Sequence, residues 1–189
     1  MRCVPGAVIK VIKRHSSLVG MADEMSDKRD LLEGLGTFRM ERVVVGKLSM
    51  DTDLLAGIIE LVKKERIRTG WILSAVGALK KATFRNVKTM PADLKVKREH
   101  RVYLELDQPM EIVSLTGWIA AKENGETEVH AHFSASTVME DKVITLGGHL
   151  TPGTMTSIKV VVAIGVIQDT KIKAATDSRI DQIDLKLPS

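Results

Sequence analysis

The sequence predicts a mainly β domain that contains one long amphipathic helix. Residues 158–167 form the longest aliphatic run of the chain, and β-branched side chains dominate it, which is typical of a central strand. Two strand-like segments flank the polar run 139–142, which indicates a β-hairpin. Between residues 54 and 62, apolar side chains instead recur at helical spacing.

The composition excludes several classes of protein. Hydrophobic residues make up 44% of the 189-residue chain, which suffices for the core of one domain with some excess length. No apolar stretch is long enough to span a membrane, and residues 1–20 lack the apolar run of a secretory signal, so a cytoplasmic location is expected. The single Cys3 rules out an internal disulfide framework. The net charge of +4 permits nucleic-acid binding without requiring it.

The chain begins with a segment of mixed, polar composition. We expect residues 1–37 to form an N-terminal extension that is poorly ordered or holds only short elements. Residues 38–48 predict the first core strand, with Val43, Val45 and Leu48 facing inward. The main domain is therefore expected to begin at residue 38.

A helix is predicted directly after this strand. Asp51 is its expected N-cap, because an aspartate side chain accepts hydrogen bonds from the free N–H groups of the first turn. Lys63 and Lys64 in the last turn complement the helix dipole. The helix is expected to end between Arg66 and Thr69, and its apolar stripe is interpreted as core packing.

Further strands are predicted along the rest of the domain. Runs of β-branched and aromatic residues between turn signals define them, and Asn124-Gly125 is a strong hairpin turn signal. The domain is expected to end near residue 170, and the polar tail 171–189 then holds a short edge strand. The additional strands are expected at residues 71–76, 83–87, 102–106 and 110–120.

Three of the five histidines lie in the predicted hairpin. His130 and His132 are two residues apart on one strand and therefore point to the same face. An even loop centred near residues 139–140 places His149 directly opposite His130 and diagonal to His132. An odd loop would instead require a bulge, for which Gly147-Gly148 is the natural position.

Three imidazoles at this spacing can converge on one metal ion. A site with three histidines and no fourth protein ligand leaves one coordination position open, which is the pattern of catalytic rather than structural zinc. The alternative interpretation is that His130, His132 and His149 are polar hairpin residues or core histidines bonded to backbone carbonyls. The residues by themselves leave both interpretations open.

Several segments together resemble the plant and prokaryote conserved (PPC) domain. They are H-A-H at 130–132 followed by G-G-H-L at 147–150 and Gly153, W-I-L-S-A-V-G-A-L at 71–79, and E-I-V-S-L-T-G-W-I at 111–119. The resemblance covers about residues 38–170. It implies an α+β fold in which a curved antiparallel β-sheet packs around one main α-helix.

The same resemblance implies a homotrimer in which His130, His132 and His149 hold a divalent metal ion, with zinc expected. The family is a predicted DNA-binding one, related to the AT-hook nuclear-localised proteins of plants. An AT-hook of the R-G-R-P type is absent from this chain. The resemblance therefore implies an assembly and partner-binding module more directly than a reader of DNA.

The first functional hypothesis is a trimeric, metal-binding module with a binding or regulatory role that includes weak, non-specific DNA binding. The sequence feature that supports DNA binding is the basic stretch 80–101, in which Lys80, Lys81, Arg85 and Lys88 are the candidate phosphate contacts. The alternative interpretation of this stretch is a solvated loop whose charges are scattered over two faces.

The second hypothesis is a zinc-dependent hydrolase or lyase. An open three-histidine zinc lowers the pKa of its bound water to about 7. A general base would also be needed, and the acidic residues nearby in sequence are Glu123, Glu126, Glu128, Glu140 and Asp141. The sequence leaves open whether the protein is an enzyme, and it names no substrate.

Overall fold

The computed structural model of the protein describes residues 32–168 and 171–188, which form nine β-strands and one α-helix. A single turn of 3-10 helix at Arg98–His100 precedes the third strand. Most of the expected N-terminal extension, residues 1–31, lies outside the described residues. None of the described helices is long and apolar enough to cross a bilayer. The elements are β1 (Met40–Leu48), α1 (Leu54–Lys64), β2 (Thr69–Val87), β3 (Arg101–Leu106), β4 (Met110–Ala121), β5 (Thr127–Met139), β6 (Lys142–Leu150), β7 (Met155–Ile167), β8 (Lys173–Asp177) and β9 (Gln182–Lys186).

The strands form one mixed sheet in which nearly every pairing is antiparallel. Its order is β1-β7-β2-β6-β5-β4-β8-β9, with β3 attached to β2. Strand β2 also pairs with β4, so β2, β6, β5 and β4 form a closed circuit of hydrogen-bonded strands. Strand β7 lies between β1 and β2, which confirms the central strand predicted from the aliphatic run. The fold is therefore mostly β-sheet with one long helix.

Strand β2 is longer than the sequence indicates. The segments predicted at 71–76 and 83–87 are two ends of one 19-residue strand, Thr69–Val87. Register shifts against β7 on either side of Leu79 absorb the break in the apolar pattern. Gly77 lies within this strand, where an added Cβ would meet the carbonyl oxygen of Lys159 at 2.2 Å. Close approach of β7, rather than a turn, explains this glycine.

The helix begins two residues later and ends earlier than predicted. Asp53, not Asp51, is the N-cap, and its Oδ1 accepts a hydrogen bond from the N–H of Ala56 at 2.9 Å. The other carboxylate oxygen of Asp53 accepts a hydrogen bond from the N–H of Gly153 at 2.7 Å, which ties the helix start to the turn before β7. Asp51 has a positive φ of 61° and forms an ion pair with Lys80. The helix ends at Lys64.

The inward face of β1 also differs from the prediction. Val44 and Leu48 pack against the core, whereas Val43 and Val45 are 52% and 65% exposed. Gly46 faces the helix, where an added Cβ would meet Leu61 at 2.5 Å. The even-numbered residues therefore point inward, since side chains alternate along a strand.

The core fixes which side chains reach the face of the sheet that carries the histidines. The rings of Phe84 and Phe133 stack in the core with centroids 4.8 Å apart, and both are nearly fully buried. Ala131 and Leu150 are buried as well. Because neighbouring side chains on a strand point to opposite faces, the residues next to these four are directed away from the core. Arg85, His130, His132 and His149 are among those residues.

The C-terminal segment forms a hairpin rather than a tail with one strand. The prediction placed a single edge strand here, but β8 and β9 pair antiparallel from Lys173 opposite Lys186 to Asp177 opposite Gln182. Ile172 and Ala174 are buried in a small second core together with Ala120. This packing holds the hairpin against the main sheet, and β9 is the last strand in the sheet order.

Candidate metal centre

The β5–β6 hairpin brings the three histidines together. Its two-residue loop, Glu140-Asp141, has φ values of 49° and 61°, as a type I′ turn requires. The pairing then runs without interruption from Met139 opposite Lys142 to His132 opposite His149. The predicted even loop is therefore correct.

The predicted centre of that loop is wrong by one residue. His149 lies opposite His132 rather than His130, and His130 is the diagonal neighbour. No bulge forms at Gly147-Gly148, so a bulge does not explain why glycines occupy these positions. An added Cβ on Gly148 would meet the carbonyl oxygen of Arg85 at 2.9 Å, and the Asn86 amide donates a hydrogen bond to the Gly147 carbonyl oxygen at 2.8 Å. The missing side chain of Gly148 lets β2 approach β6 beside the histidines.

The imidazole nitrogens have the spacing of ligands around one ion. His132 Nε2 lies 3.3 Å from His130 Nε2 and 3.3 Å from His149 Nδ1. All three candidate ligand atoms lie within 4.8 Å of one another. Zinc–nitrogen bonds of about 2.0–2.1 Å at tetrahedral angles separate two ligand nitrogens by about 3.3 Å. The three residues therefore fit a metal ion, and His132 is the middle one of the three candidate ligands.

Neighbouring side chains hold the rings in place. Trp118 on β4 lies directly opposite His130 and stacks on its ring, with centroids 5.0 Å apart and planes 12° from parallel. The ring of His149 meets His130 and His132 edge-on. A ring packed in this way has few alternative rotamers, so less ordering entropy is lost when a ligand binds.

The surroundings favour the neutral imidazoles that metal binding requires. Burial, and secondarily the nearby Arg85 guanidinium, lowers the pKa of His149 to about 3. The same two causes lower the pKa of His132. For His130 the largest cause of the lowered pKa is again burial, followed by His132 and Arg85, against smaller opposing effects of Glu128 and Asp184.

These shifts predict a pH dependence of the metal-free protein. Unfolded histidines bind protons near pH 6.5, whereas the folded ones bind them only at lower pH, so the free energy of unfolding should fall as pH decreases below 6.5. Replacing His149 with asparagine should remove part of this loss, about 1 kcal/mol between pH 7 and pH 5 for a half-buried ring. Urea unfolding of chelator-treated protein measures it. Equal pH slopes for the variant and the parent would contradict the prediction.

The acidic residues near the histidines are mostly directed elsewhere. Glu140 and Asp141 form the hairpin turn, and Glu123 and Glu126 flank the Asn124-Gly125 turn. Of the five acidic residues expected nearby, only Glu128 lines the cavity at the histidines, and Lys122 forms an ion pair with it at 2.7 Å.

The four basic residues proposed to contact DNA do not form one patch. Lys80 pairs with Asp51, and the Lys81 ammonium lies 3.0 Å from a carboxylate oxygen of Glu105. Arg85 lines the histidine cavity, where it pairs in register with His149. Lys88 is exposed just beyond the end of β2. The structure thus places one member of the set at the histidine cavity and the other three outside its lining.

Two residues near the histidines were missed from the sequence. Arg101 on β3 lines the cavity because β3 pairs with the far end of β2, and Tyr103 on the same strand lies opposite Arg85. Arg101 belongs to the basic stretch 80–101, but nothing local in the sequence separates it from the other cations there. Only the pairing of β2 with β3 distinguishes Arg101 from the other cations of the stretch, because it brings Arg101 to the cavity.

Residues 36–168 match the family model described as the Plants and Prokaryotes Conserved (PCC) domain. A comparison with curated proteins finds no match. Several solved structures are also similar to this chain, including the following three. A metal-containing protein from Archaeoglobus fulgidus is 22% identical with a TM-score of 0.65, over 80% of this chain and 98% of that one. A plant- and prokaryote-conserved (PPC) protein from Pyrococcus horikoshii is 25% identical with a TM-score of 0.61, over 81% of this chain and 99% of that one. A candidate DNA-binding protein from Bacteroides thetaiotaomicron is 17% identical with a TM-score of 0.63, over 79% of this chain and 94% of that one.

Proposed function

The chain belongs to the Plants and Prokaryotes Conserved (PCC) domain family, and from this premise we propose that it is a zinc-binding homotrimer that acts as a binding or regulatory module. The observation that carries the proposal is the cluster of His130, His132 and His149, with two nitrogen pairs at the 3.3 Å spacing of tetrahedral ligands. The likeness to a metal-containing protein supports the metal part.

The donor set favours zinc over other common ions. Three neutral imidazoles suit zinc and the later first-row metals, whereas magnesium and calcium require oxygen ligands. A bound zinc would supply a Lewis-acidic position open to an exchangeable ligand. The protein's part is to keep the three rings neutral through burial and Arg85, and to hold His130 against Trp118.

An exposed apolar face supports self-association. Val45 on β1 pairs with Ala163 on β7, and Val161 on β7 pairs with Val76 on β2, so these side chains share the outer face of three adjacent strands. Val45 is 65% exposed and Val76 is 72% exposed. Leu73 and Ile158 are also exposed large apolar residues of β2 and β7. Apolar side chains gathered on one face usually mark an interface, and further copies of this chain are the proposed occupants.

The expected wrapping of the curved sheet around the helix belongs to the same proposal. Leu54, Ile58 and Val62 of α1 are buried in one core cluster with Val162 and Ile164 of β7. This burial supports the arrangement, since one face of the sheet and one stripe of the helix then exclude water together.

The acids at the cavity favour binding over zinc-dependent hydrolysis or elimination. Both reactions need a general base that is free to accept a proton. Glu128 is engaged by Lys122, which leaves Asp184, whose Oδ1 accepts a hydrogen bond from the N–H of Leu185 at 2.7 Å, as the one candidate base among the described acids of the lining. The hydrolase or lyase therefore ranks second.

Elemental analysis of the purified protein, combined with its mass from light scattering, tests the proposal. We expect about one zinc ion per chain, because one three-histidine site holds one ion. We also expect three times the mass of the chain. A metal-free monomer would contradict both zinc binding and trimer formation. Metal-free protein alone would contradict zinc binding, and a monomer mass alone would contradict the trimer.

DNA binding is a separate proposal, supported by the likeness to a candidate DNA-binding protein and by the basic stretch. We expect weak binding with a dissociation constant of about 10⁻⁴–10⁻⁶ M and a steep decline with salt, because phosphate neutralisation releases counterions. Neutralising Lys80, Lys81, Arg85 and Lys88 together should weaken binding equally for all sequences. Fluorescence anisotropy at several salt concentrations measures it.

A variant that keeps Arg85 serves as the control for that titration, because Arg85 lines the histidine cavity. Replacing only Lys80, Lys81 and Lys88 with glutamine should give most of the loss and reduce the salt slope by about one unit per lost phosphate contact. Tight, sequence-selective binding that persists in both variants would place the interface elsewhere.

A further inference from the structure

The histidines open into a cavity large enough for a small molecule. Its volume is about 700 Å³, within the range of about 300–1,000 Å³ typical of ligand pockets. Strands β2, β5 and β6 form its floor, and residues of the C-terminal hairpin form one wall, including Ile183 and Asp184 of β9. That hairpin lies beyond the part of the chain that the family model matches, which ends at residue 168.

Arg85 brings a positive charge to this cavity without a carboxylate partner. It lies between two strands, opposite Tyr103 on β3 and opposite His149 on β6. Among the described residues, the ion pairs of the protein do not include Arg85. The effect of Arg85 on all three histidine pKa values places its charge beside the candidate ligands.

Arg101 adds a second guanidinium to the same cavity. Its Nη2 donates hydrogen bonds to the Val96 carbonyl oxygen at 3.2 Å and to Gln182 Oε1 at 2.9 Å. Both acceptors are uncharged, so they orient the side chain and leave its charge uncompensated. Burial, and secondarily the nearby Arg101 guanidinium, lowers the pKa of Arg85. Two like charges held together in this way favour an anion between or beside them.

The acids of the cavity do not cancel this charge. Glu128 is already paired with Lys122, which leaves Asp184 as the one acidic group of the lining without a basic partner in the described part of the chain. Two guanidinium groups against one carboxylate leave a positive cavity, and a divalent ion at the histidines would increase its charge. The rest of the lining combines the amide side chains of Asn86 and Gln182 with apolar side chains that include Val87, Val96 and Ile180.

From this arrangement we infer that the cavity binds a small amphipathic anion, a molecule with a carboxylate or phosphate group on an apolar body. The anionic group takes the open position beside the three histidines and accepts hydrogen bonds from Arg85 and Arg101. The apolar body lies against the valine and isoleucine side chains of the wall. The inference rests on the proposed metal site for part of the affinity and on the two arginines for the rest.

Isothermal titration calorimetry of the metal-loaded protein with phenyl phosphate and with benzoate tests the inference. Both probes carry an anionic group on an apolar ring, and benzyl alcohol is the uncharged control. Binding of either anion but not of benzyl alcohol is the expected result, and the preferred probe identifies the anionic group. Arg85→Gln and Arg101→Gln should each weaken binding at least about tenfold, because a hydrogen bond between charged groups is lost.

Matched variants separate a specific role from a general loss of charge or of folding. Lys88→Gln removes a cation at the same end of β2 but outside the cavity lining and should leave binding unchanged. Arg85→Lys keeps the charge but loses the planar fork and should give an intermediate loss. Equal losses in Lys88→Gln and Arg85→Gln would overturn the inference.

The metal content of the same samples distinguishes the two proposals. Metal-loaded protein that binds neither anion would overturn the anion site and leave the metal site intact. Metal-free protein that still binds an anion through Arg85 would remove the metal site and sustain the anion site. Protein that lacks both the metal and anion binding would overturn both.

Discussion

Replacing His132 with alanine should reduce the metal content of the purified protein from about one ion per chain to near zero. Within the described residues, His132 Nε2 lies 3.3 Å from His130 Nε2 and 3.3 Å from His149 Nδ1, so it is the middle one of the three candidate ligand atoms. Without His132, only the two outer imidazoles remain. Two imidazoles bind zinc far more weakly than three. Mass-spectrometric elemental analysis after dialysis measures the change.

His100→Ala is the matched control for this experiment. His100 lies in the 3-10 turn before β3, where its Nδ1 accepts a hydrogen bond from the N–H of Lys97, and it is not a member of the histidine cluster. The control variant should retain the full metal content. His149→Ala should behave as His132→Ala does. Full retention of the ion in both cluster variants would show that the metal, if present, is held elsewhere.

A single charge on the outer apolar face should dissociate the oligomer. Val76 is 72% exposed in the isolated chain, so Val76→Glu should leave the fold of each subunit intact. In the proposed trimer the same glutamate would be buried against apolar side chains, at a cost of about 3–5 kcal/mol for each uncompensated charge. Light scattering at micromolar concentration should then report the mass of one chain for the variant and of three chains for the parent.

Val143→Glu is the matched control, because Val143 is 75% exposed but lies on β6 beside the hairpin turn. The substitution is chemically the same and the starting exposure is nearly equal, yet the side chain lies outside the outer face of β1, β7 and β2. We expect this variant to keep the oligomer. If Val143→Glu dissociates the assembly and Val76→Glu does not, the interface is on the hairpin instead.

The cavity and the apolar face lie on different parts of the fold. The cavity is formed by β2, β3, β5, β6 and the C-terminal hairpin, whereas the apolar face belongs to β1, β7 and the first half of β2. Metal binding and assembly should therefore respond independently to the two sets of variants. Measuring mass on His132→Ala and metal content on Val76→Glu examines that independence directly.

The sequence by itself determined the features that depend on short-range periodicity. The apolar stripe of α1, the aliphatic run of β7 and the Asn124-Gly125 turn each lie within a short window, and all three are present in the structure. The common face of His130 and His132 follows from the two-residue period of a strand. The contribution of His149 followed from an even hairpin loop, which is also a local property.

Only the tertiary structure decided two kinds of feature. One is the exact register of a strand, where a shift of one residue changes which side chains face each other, and the other is the contact between strands that lie far apart in the chain. Side chains alternate along a strand, so a loop centre misplaced by one residue exchanged the partners of His149. For the same reason Val43 and Val45 of β1 face outward instead of inward, whereas Leu48 faces inward as predicted. Strand β2 pairs with four other strands, and only that pairing distinguishes Arg85 and Arg101 from the other cations of the basic stretch. The C-terminal hairpin became a wall of the cavity because Ile172 and Ala174 are buried with Ala120 on β4. These contacts join residues far apart in the chain, and no periodicity within a single segment encodes them.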